Sequence, residues 1–99
     1  MKRDIFEYYA HAIAKQFHIS LEELFTQTKK GHIVDARQLL YLLCIKRNFK
    51  KSYIQTYLQE HGYTASHSTI SYGIKQAEKL LKSDPDFASM IKNIQENDN

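Results

Sequence analysis

Between Tyr63 and Lys75 the chain reads YTASHSTISYGIK, a stretch that sets five Ser and Thr hydroxyls around His67. A hydroxyl beside an imidazole raises the question of nucleophilic catalysis. Ser68 and His67 are neighbours in sequence, however, adjacent residues of a helix do not face each other, and no third, orienting acid is identifiable. The five histidines, His11, His18, His32, His61 and His67, include no i, i+4 pair of the kind that holds a metal on one helix face. Cys44 lies inside the apolar run LLYLLCI, where a thiol packs as a small hydrophobe. The glycines at 31, 62 and 73 stand far apart and none heads a Gly-Lys-Ser/Thr sequence, so there is no phosphate-cradling loop. The expectation is a protein that is not an enzyme and takes no cofactor, metal or nucleotide.

The same residues suit recognition. From Ser66 onward, Ile70, Ile74, Ala77 and Leu81 recur at helical spacing, and Gly73 and Leu80 widen the stripe. On the opposite side Ser68, Ser71, Tyr72, Lys75, Lys79 and Lys82 make one continuous face. Short polar side chains at the start of such a face can approach base edges, and the lysines of its later turns can reach phosphates. Ser66 reads as the N-cap. Two plainer readings stay open: Tyr72 as cover for a hydrophobic edge, and Lys79 and Lys82 as ordinary surface lysines.

A helix of this kind needs a frame to carry it. Ninety-nine residues, 42% hydrophobic and 25% charged, make one domain with a single small core, with its body over about 4–94 and a frayed tail at 95–99. Three glycines and one proline are too few for the turns of a β-sandwich or barrel, so the expected class is all-α. The spacing predicts a helix over Asp4 to Phe17 with Asp4 as its cap, and a short one over Leu21 to Thr26 opened by a Ser20–Glu23 capping box. QTKKGH then reads as an exposed basic loop. Ile33 to Lys46, nearly all apolar after Gln38, predicts a central helix buried on most sides. Tyr53, Ile54, Tyr57 and Leu58 predict a helix ending near His61, with Gly62 in the position that follows the cap. Asp84-Pro85 ends the Ser66 to Lys82 helix, and Phe87, Met90, Ile91 and Ile94 mark one more. Ser52 to His61 followed by Ser66 to Lys82 gives a helix-turn-helix outline.

From Lys29 to Lys51 seven basic side chains stand against Asp35 alone, a balance of +6 within a chain whose net charge is +3. A middle that basic suggests a polyanionic partner, although a solvated lysine-rich face would look the same. One cysteine and the lack of any long apolar run point to a reducing, cytoplasmic setting with no membrane partner.

HSTISYGIKQAEKLL resembles the signature of the DNA-binding domain at the C-terminus of the bacterial chromosomal replication initiator DnaA. FHISLEELF, the KK pair, ARQLLYLL and DFASMIKNI are similar, in order, to that family's first two helices, basic loop, Arg-Gln central helix and closing helix. The resemblance spans about Ile5 to Ile94. It implies a bundle of about six helices with a helix-turn-helix, of the Trp-repressor-like kind, that binds double-stranded DNA at an A·T-rich box as a nucleoid-associated monomer. Carried over, it places Ser66, His67, Ser68 and Thr69 at the bases. Lys29, Lys30, His32, Arg37, Gln38, Lys50, Lys51, Tyr72 and Lys75 fall to the backbone and loop contacts. Ser66 stands where the family has Asp, Tyr72 where His is frequent, Gly31 near a loop Arg, and Asp35 where a basic residue is frequent; the turn before His67 looks longer. With no ATPase in these residues, the expected role is a regulator of replication or transcription, or a phage or mobile-element protein. The alternative is a protein-interaction module on the same scaffold.

Overall fold

The computed structural model describes residues 1–97 and contains six helices among them. They are α1 (Lys2–Gln16), α2 (Leu21–Leu24), α3 (Gly31–Lys46), α4 (Lys51–Glu60), α5 (His67–Ser83) and α6 (Pro85–Glu96). The all-α expectation holds. The tail expected to fray is helical as far as Glu96, with Asn97 as its cap, and residues 98–99 lie outside the described residues.

α3 is the axis of the bundle, in contact with all five other helices. Its run from Leu39 to Cys44 is buried throughout, which is why that segment shows no polar face in the sequence. Around it pack Phe6, Tyr9 and Ile13 of α1, Leu24 of α2, Ile54 and Leu58 of α4, and Ile70 and Ala77 of α5. Each such Leu, Ile or Phe taken out of water contributes roughly 1.5–3 kcal/mol. Burial also pushes the Cys44 thiol well above its ordinary pKa, so it stays protonated and inert.

Helix starts differ from expectation in three places. α1 begins at Lys2, with Met1 in the cap position, so Asp4 is not the cap; it sits in the first turn, 3.9 Å from the terminal ammonium. An acid suits that end of a helix. Gly31 and His32 belong to the first turn of α3 rather than to the basic loop, and Lys51 opens α4. The predicted Ser20–Glu23 capping box is present, with both hydrogen bonds at 3.0 Å. That bond from the Ser20 backbone N–H is the main reason the Glu23 carboxyl is held below its ordinary pKa.

Three helices end in one device. His18, Asn48 and Gly62 adopt left-handed φ values of 56°, 68° and 79° just past α1, α3 and α4. The next residue in each case returns an N–H to a carbonyl five back: Ile19 to Ala14, Phe49 to Cys44 and Tyr63 to Leu58, at 2.9–3.0 Å. These are Schellman endings, and each is followed by an apolar residue that folds over the helix end. Gly62 meets its φ without a Cβ, whereas His18 and Asn48 tolerate theirs as side-chain-bearing residues.

Candidate nucleic-acid interface

The first turn of α5 is set by Ser66. Its backbone is extended (φ −80°, ψ 165°), and its Oγ accepts from the Thr69 amide at 3.0 Å while lying 3.0 Å from the Thr69 hydroxyl. Capping therefore involves Ser66 and Thr69, and leaves His67 and Ser68 as exposed side chains with no part in it. One turn on, Tyr72 stands 60% exposed, and Lys75, Lys79 and Lys82 continue the same outer side into solvent.

α5 lies close against α3 because Gly73 has no side chain. A Cβ there would come within 2.8 Å of the Tyr41 ring and 3.2 Å of Gln38 Cγ. The close approach brings the exposed side of α5 next to the loop that precedes α3.

Six residues, His61 to Ser66, join α4 to α5. They are not slack: Tyr63 and Ala65 are buried, and Gln55 Nε2 donates to the Ala65 carbonyl at 2.8 Å. Tyr63 is placed by the Schellman ending of α4.

The basic loop runs over residues 25–30, with Lys29 and Lys30 exposed and His32 exposed just beyond them. Arg37 reaches it from inside. Its guanidinium donates to the Thr26 carbonyl at 2.6 Å and the Thr28 carbonyl at 2.9 Å, and lies over the Tyr63 ring at 4.6 Å. At 4% exposure it stands behind the loop, not on the surface among the lysines where a backbone-contacting role would put it. Burial drives the pKa of the neighbouring Tyr41 hydroxyl upward, and the nearby Tyr63 hydroxyl adds to this against the pull of Arg37.

Loop and helix thus face each other across a groove of about 440 Å³. Gln27, Thr28 and Lys29 form one side, Thr69 and Tyr72 the other, and half-buried Gln38 lies between. Lys50 is exposed at the cap of α4, beside half-buried Lys51. Of the residues singled out in the sequence, Lys29, Arg37, Gln38, Thr69 and Tyr72 line this groove, whereas Ser66, His67 and Ser68 do not line it and stand exposed beside Thr69 at the start of α5. The sequence reading missed Tyr63 and Tyr41, whose signal is only that they are aromatic, and Gln27, whose Nε2 lies 3.5 Å from the Thr64 carbonyl.

Asp35, in the first half of α3, has its pKa raised by burial against the pull of His32. It breaks the run of positive charge beside the loop.

The described residues thus form a small all-α bundle of six helices that exposes a capped helix start, a following lysine edge and a basic loop across a groove. The chain is similar to the chromosomal replication initiator protein DnaA of Flavobacterium psychrophilum, with 28% identity over an alignment of 98 residues that takes in 95% of this chain. It spans 19% of that initiator's length, and the similarity is to a C-terminal-like domain of it. No family model and no solved structure matches the chain. Among the described residues no helix is long and apolar enough to cross a membrane.

Proposed function

We propose that the chain binds duplex DNA at a short specific site. His67 and Ser68 read base edges in the major groove, with Ser66 and Thr69 fixing the turn and lying next to the same bases. Lys29, Lys30, Lys50, Lys51 and Lys75 take phosphates. Phosphate contacts of this kind set position and affinity, and contacts to base edges set sequence. Tyr72, Gln38 and His32 line or flank the path of the strand between loop and helix.

The observation that carries this reading is the arrangement of the α5 start. Ser66 completes the cap with Thr69, so an imidazole and a hydroxyl are left out of it on an exposed first turn, with lysines on both flanks. The similarity to an initiator protein supports it.

Selection from a pool of random duplexes tests the proposal. One short consensus should be enriched, and the resemblance leads to an A·T-rich box of the initiator type. Enrichment of no motif would leave the scaffold to the alternative role, that of a protein-interaction module.

A further inference from the structure

Arg37 is the one buried charged side chain among the described residues. A guanidinium away from water is costly unless its charge and its N–H groups are met. Here two loop carbonyls and an aromatic face meet them. The carbonyls belong to Thr26 and Thr28, next to Lys29 and Lys30. The ring belongs to Tyr63, three residues before the Ser66 cap. One side chain, rooted in the most buried helix, therefore touches both segments that flank the groove.

Resting on the DNA-binding reading above, we propose that Arg37 is a positioning residue that holds the basic loop at a set distance from the first turn of α5. Both then engage one duplex together, although Arg37 itself touches no phosphate. Lysine cannot replace it, because a single ammonium lacks the planar fork that serves two carbonyls while lying flat on a ring.

Three roles predict different results. The probe is a short duplex of mixed sequence, titrated with the full chain at several salt concentrations. Replacing Lys29 and Lys30 by Ala in the native background should flatten the dependence of log K on log salt by about two. Arg37→Lys should weaken binding about tenfold, and in that background loss of the two lysines should change affinity far less, because the loosened loop no longer presents them. Additive losses would show Arg37 to be a phosphate contact of its own, and unchanged affinity in a folded Arg37→Lys variant would show it to be only a stabiliser; either result overturns the proposal.

A second measurement is independent of DNA. Amide hydrogen exchange in residues 26–30 and in 62–65 should accelerate together, by about tenfold or more, in Arg37→Lys, while α1 and α3 keep their protection. Acceleration in one segment alone, or in neither, overturns the coupling. Failure of the native chain to bind any duplex would sink the DNA reading and leave this second result to judge the clamp. If Arg37→Lys does not fold, Tyr63→Leu, which removes the ring face and keeps the charge, carries both measurements under the same criteria.

Discussion

Ser66 commits its hydroxyl to the Thr69 amide, and His67 and Ser68 are left exposed outside the cap of α5. His67 and Ser68 have no structural duty to give up, so their replacement should report on recognition alone. His67→Ala should cost about 1–3 kcal/mol on the selected site and little on random DNA. Lys75→Ala should weaken both duplexes and flatten the salt dependence by about one. Competition binding on the two duplexes checks this, and equal losses for His67→Ala would remove it from the base-reading residues. The cap and the exposed face of the candidate site are legible in the amino-acid sequence, because a hydroxyl-rich first turn and a lysine edge are local patterns. The role of Arg37 is not, since composition places an arginine on the surface by default and only the fold brings Tyr63 beneath it.

At the scale of elements, α5 depends on its seat against α3. Gly73→Ala should destabilise the fold by about 1–3 kcal/mol, because the new methyl would press on Tyr41 and the two helices would have to separate. Gly31→Ala meets open space at the first turn of α3 and should be neutral or stabilise by up to about 1 kcal/mol. Chemical denaturation of the two variants makes the comparison, and equal effects would contradict the packing account. Helix identity is readable from apolar spacing, as the buried LLYLLC run shows most clearly. Helix ends are readable only where a residue type announces them: Ser20 and Ser66 at starts, Gly62 at an end. Asn48 and His18 end their helices in the same left-handed geometry with no such mark. Gly31 misleads in the other direction, because a residue that usually breaks helices here begins one.

The whole molecule is tied together by contacts between distant segments as well as by its core. Arg3 forms a two-pronged pair with Glu60 at 2.8 and 3.0 Å, joining the start of α1 to the end of α4, and His61 meets Glu7 at 2.6 Å beside it. The hydrogen bond from Arg3 holds the Glu60 carboxyl below its ordinary pKa, as the Ser20 amide does for Glu23. A carboxyl with a depressed pKa binds fewer protons folded than unfolded. Its contribution to stability is therefore present above the ordinary carboxylate pKa and is lost as pH falls through the depressed folded value. Stability followed by denaturation from neutral pH into acid should fall in that window. Glu23→Gln, which can still accept the Ser20 N–H, should fall less steeply there, and an identical slope would contradict the assignment. DNA binding would draw on the molecule as a whole, because the lysines that would meet phosphates come from the basic loop, the start of α4 and α5 together. The most direct measurement is the affinity of the native chain for a labelled duplex across a salt series. Five phosphate-contacting lysines predict a slope of log K against log salt of about −4 to −5. Binding that is absent at low salt, or that does not weaken as salt rises, would contradict the account.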